Sequence, residues 1–302
     1  MSRYERAFGR YSEVIPDFQD FLAALARPAP DHFRVNTLKT EVEEVVGRLG
    51  AEAIRAEPEP WCPFVFRSGG GRSLGATLLH SLGHIYVQSA SSAVSALALE
   101  PRPGERVLDL CAAPGSKSTL IAQLMSDEGS LVANEPSARR LKSLTNNLER
   151  MGITCAVVTG YTGQNLPGKL RFDRALVDAP CSGEGTWRGP EARPKPAEPA
   201  FRGYLARQQK ALVRRAYDCL EPGGTLVYST CTYAPEENES VVSWLVGETG
   251  ARLLPIGLDL AGLPGLRRWE GERYPEEISL ARRLYPHRFD SEGFFVARLA
   301  KP

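Results

Sequence analysis

The chain has 302 residues, a formal net charge of +1, 42% apolar and 24% charged residues, proportions ordinary for a soluble globular enzyme. Its longest apolar stretch near the N-terminus, residues 21–26, is far too short to span a bilayer. The opening residues mix both charge signs and lack the apolar run of a signal peptide, so the expected location is the cytoplasm.

In chain order, residues 33–37 alternate as a strand does, and Thr40 with Glu43 has the spacing of a capping box for a short helix up to Gly50. These features predict a small N-terminal α+β unit over residues 1–85, ahead of a larger domain over 86–302. From Val107 onward, short apolar runs alternate with helical patterns, which predicts an α/β fold with a parallel sheet covered by helices. The strand expected at 107–110 leads into Asp109-Leu110-Cys111-Ala112-Ala113-Pro114-Gly115-Ser116-Lys117, a turn rich in small residues. A helix follows from about Ser116, with Leu120, Ile121, Leu124 and Met125 on one face. This turn is neither a Walker loop nor a clean Gly-x-Gly-x-x-Gly, which argues against ATP hydrolysis and weakens a nicotinamide reading.

The second strand, 131–134, ends at Glu135. An acid about 20 residues past such a loop is placed to accept ribose hydroxyls, so loop and acid together predict an adenosine cofactor. A helix opening at Pro136-Ser137 stops at Gly152, and strands are expected at 156–159 and 174–177. The segment 189–199, with four prolines, predicts a surface loop, followed by a helix over about 204–220 and a fifth strand over 225–229. Glu236, Glu237 and Glu239 suit the positive start of the next helix, and residues 294–299 read as a final strand.

Two cysteines fall at predicted strand ends, in Asp178-Ala179-Pro180-Cys181-Ser182-Gly183 and Tyr228-Ser229-Thr230-Cys231-Thr232. The six cysteines contain no Cys-x-x-Cys pair, which argues against structural zinc and a disulfide framework, so no metal is expected. Cys62, Cys155 and Cys219 read as inert packing residues. Between 186 and 215, eight Lys/Arg (188, 193, 195, 202, 207, 210, 214, 215) stand against two acids, Glu191 and Glu198. That surplus is either a phosphate-binding rim or a solvated helix face, and charge alone leaves both open.

The Asp109–Lys117 loop, the Pro180-Cys181 and Thr230-Cys231 pairs and Pro235-Glu236-Glu237-Asn238 together resemble the RNA 5-methylcytosine methyltransferases of the Sun/Nop family. Ser182-Gly183-Glu184-Gly185, Arg283-Leu284-Tyr285-Pro286-His287-Arg288 and Gly293-Phe294-Phe295 are similar to its bacterial small-subunit rRNA branch (RsmF/YebU-like). The resemblance covers about residues 30–300. It implies a Rossmann-like methyltransferase sheet, S-adenosylmethionine as methyl donor, and an RNA partner, rRNA first and tRNA second. It also implies roles: Cys231 as the thiolate that adds to C6 of cytosine, Cys181 as the base that assists release, Asp178 against the base edge at N3/N4, and Lys117 holding the base or that acid. Cysteine 111 through Lys117 (Cys111, Ala112, Ala113, Pro114, Gly115, Ser116, Lys117), Glu135 and Asp178 are the implied cofactor contacts. The family commonly has an Asp after the third strand; here Thr162 falls nearest that place, and a hydroxyl bonds more weakly than a carboxylate.

A cytosine inside a helix cannot reach such a pocket, so it must be unstacked or exposed, and loops and ends are the usual RNA targets. Residues 186–215 and the N-terminal unit are the expected RNA contacts. Members of the closest branch continue into a further C-terminal domain, whereas this sequence stops at Pro302. Two alternatives stand beside the leading one: a DNA-type cytosine methyltransferase using the Pro-Cys thiol, and a non-catalytic RNA-binding assembly factor. Oligomeric state is not readable from the sequence.

Overall fold

The computed structural model describes residues 2–70 and 73–302; Met1, Gly71 and Arg72, which fall inside the expected N-terminal unit, lie outside the described residues. Two short helices, α1 (Arg3–Phe8) and α2 (Phe18–Leu25), precede a four-stranded antiparallel sheet in the order β2-β3-β1-β4. Its strands are β1 (His32–Val35), β2 (Arg55–Glu59), β3 (Cys62–Gly69) and β4 (Ile85–Val87), with α3 (Val42–Ala51) and α4 (Leu78–Ser81) inserted. Phe33, Val35, Val45, Leu49, Phe66 and Ile85 fill a small core of their own. Helices α1 and α2 instead join the core of the large sheet: the Phe8 and Phe21 rings meet Tyr233 edge-on at 5.6 and 5.3 Å.

After α5 (Ala90–Leu99) the chain enters a doubly covered sheet. Strands β5 (Arg106–Asp109), β6 (Ser130–Asn134), β7 (Ala156–Thr159), β8 (Phe172–Asp178) and β9 (Leu220–Thr230) are parallel, ordered β7-β6-β5-β8-β9. Helices α6 (Ser116–Leu124), α7 (Ala138–Met151) and α8 (Pro199–Asp218) connect them, and α9 (Glu239–Thr249) follows β9. The remaining strands are β10 (Arg252–Leu254), β11 (Leu263–Pro264), β12 (Arg268–Trp269), β13 (Glu272–Arg273), β14 (Arg282–Leu284) and β15 (Phe294–Ala300). Strand β15 lies antiparallel to β9, with Phe295 opposite Thr230, and β14 and β11 extend that edge, while β12 and β13 pair only with each other. Val107 and Leu108 are fully buried, and each contributes about 1.5–3 kcal/mol by burial.

From β5 the chain winds outward through β6 and β7, then returns to the other side of β5 as β8 and β9. The switch point is between β5 and β8, the place where open α/β sheets bind ligands beyond their carboxyl ends. Asp109 and Asp178 are the terminal residues of those two strands.

Two local expectations are corrected. No capping box forms at Thr40: α3 is N-capped by Glu41 without a side-chain bond, and the Thr40 hydroxyl donates to Glu44 Oε2 at 3.0 Å. Helix α8 begins at Pro199 rather than near 204, because proline at the first helical position gives up only an N–H that has no intrahelical acceptor. Of the three glutamates, Glu239 does stand in the first turn of α9, fully buried against Arg283, whereas Glu236 and Glu237 precede the helix and Glu237 is fully buried against Ser182 and Gln209. Among the described residues no helix is long and apolar enough to cross a membrane, and no His/Cys/Asp/Glu group could hold a metal ion.

Candidate active site

Strand β8 ends in Asp178 and neighbouring β9 runs to Thr230, so the residues just beyond them, Cys181 and Cys231, converge at one edge. Their sulfurs are 3.2 Å apart. Beside them Asp178 takes two partners: Lys117 Nζ lies 2.8 Å from Oδ2, and the Ser229 hydroxyl donates to Oδ1 at 2.7 Å. Lys117 comes from the first turn of α6. Gly115 reaches that helix start with φ of 108°, a region open to glycine, and a Cβ there would sit 3.2 Å from Leu144. Lys117 also donates to Ser92 Oγ at 3.0 Å. The structure therefore brings Lys117, Asp178, Cys181 and Cys231 together from three separate segments.

Electrostatics sorts these groups. Burial works against the Lys117 ammonium, but Asp178 and Asp109 outweigh it, so its pKa is raised and its charge is kept. Cys231 feels that same positive charge. The Cys181 thiol is pushed well above its ordinary pKa, first by its hydrogen bond with Cys231 and then by burial. Asp109 is fully buried, and burial lifts its carboxyl from 3.8 to about 6; Oδ2 accepts from Ser118 at 2.7 Å, whereas Oδ1 has no partner among the described residues.

Several residues that position the thiols stood in the quoted motifs without a role, and Tyr11 and Gln209 were not singled out at all. Glu237 Oε2 accepts the Ser182 backbone N–H at 3.0 Å and the Gln209 side-chain N–H at 2.8 Å, tying the loop after Cys181 to α8. Burial raises the Glu237 pKa. The Ser182 and Thr232 hydroxyls are 2.7 Å apart, Asn238 donates to the Thr232 carbonyl at 3.0 Å, and Tyr11 donates to Glu184 at 2.6 Å. Gly185 donates its N–H to the Cys231 carbonyl at 2.8 Å, and a Cβ there would lie 2.2 Å from the Gly293 carbonyl oxygen. Only glycine lets these three segments meet. The turn Pro235–Asn238 carried the available signal: a proline followed by two acids and an amide is more polar than a helix start requires.

On the other side of the loop, a cavity of about 320 Å³ is lined by Cys111, Glu135, Thr162 and Pro180 with the apolar Leu110 and Leu205. Glu135 is nearly buried; it accepts the Ser137 N–H at 2.8 Å and lies 3.3 Å from Arg140. Thr162 presents a hydroxyl that accepts from Asn165 at 2.8 Å. Ala112 and Ala113 pack under the loop against Leu144 and Leu148, whereas Pro114 and Ser116 face a different cavity. Burial raises the Cys111 thiol, which is therefore a neutral wall. A carboxylate and a hydroxyl over apolar walls fit an adenosine ligand.

Comparison with known proteins agrees with this geometry. Residues 96–300 match the family described as 16S rRNA methyltransferase RsmB/F, and residues 3–90 match the N-terminal domain of 16S rRNA methyltransferase RsmF. The chain belongs to this family. It is accordingly an S-adenosylmethionine-dependent methyltransferase. It is 39% identical to the tRNA (cytosine(49)-C(5))-methyltransferase of Pyrococcus abyssi, over 97% of this chain and 94% of that protein. It is 40% identical to the ribosomal RNA small subunit methyltransferase F of Klebsiella pneumoniae, over 94% of this chain but 60% of that protein. The chain thus spans about three fifths of such bacterial relatives. A methyltransferase homologue from Pyrococcus horikoshii superposes with a TM-score of 0.87 at 34% identity, covering 99% of this chain and 93% of that one.

The basic segment is less free than its composition suggests. Arg188 pairs with Asp290, Arg202 with Glu236 and Arg214 with Asp218, while Arg215 binds the Leu166 carbonyl. Arg193, Lys195 and Arg207 are exposed.

Proposed function

We propose that this chain methylates C5 of a cytosine in RNA, in the cytoplasm, through a covalent bond between Cys231 and C6, with small-subunit rRNA as substrate. The observation that carries this is the pair of sulfurs 3.2 Å apart beside the Lys117–Asp178 ion pair at the switch point. C5 of cytosine is a weak nucleophile, so a thiolate must first add at C6 and push the C5=C6 electron pair onto C5. The nucleophile must react as the thiolate, and Cys231 stands beside the Lys117 ammonium and 3.2 Å from the Cys181 sulfur. Asp178, held by Lys117 and Ser229, faces the N3/N4 edge and accepts the N4–H, and the Lys117 ammonium beside it offsets the negative charge that thiolate addition draws into the ring. S-adenosylmethionine, when bound, supplies an electrophilic methyl group for C5. Cys111, Glu135 and Thr162 would hold it on one side of the loop, with Asp178 adjoining, whereas Pro114 and Ser116 face the other cavity.

Once Cys231 is a thioether, the leading cause that keeps Cys181 protonated is gone. Cys181 then loses its proton to water and takes the one from C5; the electron pair reforms C5=C6 and expels Cys231 as thiolate. The high pKa of Cys181 in the resting site and its role as a base in the adduct are consistent for this reason.

Residues 1–85 and the exposed Arg193, Lys195 and Arg207 are the proposed RNA contacts. The N-terminal match to the rRNA enzymes favours rRNA. The 39% identity to the archaeal tRNA enzyme supports tRNA as a second reading. Bisulfite sequencing of total RNA from cells with and without the protein tests both. One or a few rRNA cytosines should lose protection; loss confined to tRNA would select the second reading, and no change would refute the activity.

A further inference from the structure

Gln88, just past β4, is the conspicuous unused polar group near the reaction centre: its side-chain Nε2 and Oε1 are both buried without a hydrogen-bond partner among the described residues. Buried amides are otherwise paired, so an orphan of this kind calls for a ligand. It lines a cavity of about 370 Å³ between the N-terminal sheet and the cofactor loop, on the side facing away from Glu135 and Thr162. The cavity shares a wall with the catalytic group, because its lining residue Ser92 accepts the hydrogen bond from Lys117 and lies 3.2 Å from Ser116 Oγ. Lys117 and Ser92 separate it from Asp178, so the reacting base itself occupies the thiol side.

Charge identifies the occupant. The guanidinium groups of Arg150 and Arg34 lie 5.3 and 5.6 Å from the centre of the Tyr86 ring, which lines the same cavity. Neither has a carboxylate partner among the described residues: Arg150 binds the His80 and Ile85 carbonyls and Asn147, and Arg34 binds Thr119 and Gln123. Glu292 is the one acid on the walls. A planar amide offers a donor and an acceptor side by side, the complement of a base edge, and uncompensated guanidinium charge attracts a phosphate.

We propose that this cavity is the subsite for the RNA nucleotide adjoining the target cytosine, with Gln88 reading its base edge and the Arg150 charge drawing in its phosphate. The proposal rests on the RNA cytosine reading above and adds a specificity determinant to it. Unpaired bases are read in this way on their exposed edges.

The test uses the full chain and synthetic RNAs carrying the cytosine mapped by bisulfite sequencing, either intact or with an abasic site immediately 5′ or 3′ of it. Gln88→Ala removes no protein hydrogen bond, so the fold is retained. On intact RNA its KM should rise about tenfold, the loss of one bidentate base contact, with kcat within about twofold. S-adenosylmethionine binding by calorimetry should not change. Gln88→Glu, which loses the donors and places a negative charge near the phosphate, should lose at least as much. For the unaltered protein one abasic RNA should show a similar rise, and on that RNA Gln88→Ala should add nothing. An unchanged KM for Gln88→Ala, no effect of either abasic site, or effects that multiply would overturn the subsite. Those results all presuppose methyl transfer by the unaltered protein; its absence on every RNA would overturn the cytosine reading, and the subsite with it.

Discussion

Glu237 is a buried strut, and removing it should loosen the loop that carries Cys181. Its Oε2 takes the Ser182 N–H at 3.0 Å and the Gln209 N–H at 2.8 Å, and Gln209 keeps a second acceptor in the Pro180 carbonyl at 2.9 Å. Glu237→Ala therefore orphans one buried backbone donor completely and one amide donor partly. An orphaned buried donor costs about 1–3 kcal/mol, which gives about 3 kcal/mol in all. Glu237→Gln keeps one acceptor oxygen and should lose about 1 kcal/mol. Because burial raises the Glu237 pKa, the native protein binds more protons than the unfolded chain near that pKa, and stability falls as pH rises through it. The Gln variant should lack that fall. Urea midpoints across pH report both effects, and kcat should drop more than RNA KM because the thiol is displaced. An Ala variant that loses under about 1 kcal/mol with kcat unchanged would refute the strut.

Cys181→Ala should leave adduct formation intact but block its resolution, so an SDS-stable complex should accumulate with ordinary RNA; rapid turnover without it would remove Cys181 from the release step. Asp178→Asn should lower kcat by about 10²–10³-fold, the usual cost of losing one preorganised polar group. In that variant burial acts unopposed by Asp178 on Lys117, so its pKa falls and the alkaline limb of the kcat–pH profile should move to lower pH. Asp109 has a folded pKa of about 6 against 3.8, so its contribution is full below 3.8 and about 3 kcal/mol is lost as pH rises past 6. Relative to the unaltered chain, Asp109→Asn should gain stability between pH 4 and 7; a parallel pH dependence would contradict the burial argument.

The strands of the large sheet were legible because buried parallel strands read as short apolar runs between helical periods, and β5 to β8 fall close to where the pattern puts them. The two thiols were legible because each follows a strand end. Pairing across the switch point was not, since the 3.2 Å approach of Cys181 and Cys231 depends on sheet order that no local pattern encodes. Glu239 falls in the first turn of α9 as the dipole argument places it, but that argument holds equally for a solvated or a buried acid, so the burial of Glu237 against Gln209 and of Glu239 against Arg283 was not legible. Which charges of the basic run 186–215 are free was not legible in composition, because tertiary partners such as Asp290 and Leu166 lie far along the chain. Gln88 carried no sequence signal, and its meaning comes from the empty valences around it.

The central claim is that Cys231 bonds to the pyrimidine ring, and 5-fluorocytosine RNA tests it directly. After methyl transfer the C5 fluorine cannot leave as a proton would, so the adduct persists. Mass spectrometry of the unaltered protein with this RNA and S-adenosylmethionine should place the nucleotide on Cys231, and Cys231→Ser should give neither adduct nor turnover. An adduct on Cys181, or full turnover by Cys231→Ser, would contradict the account.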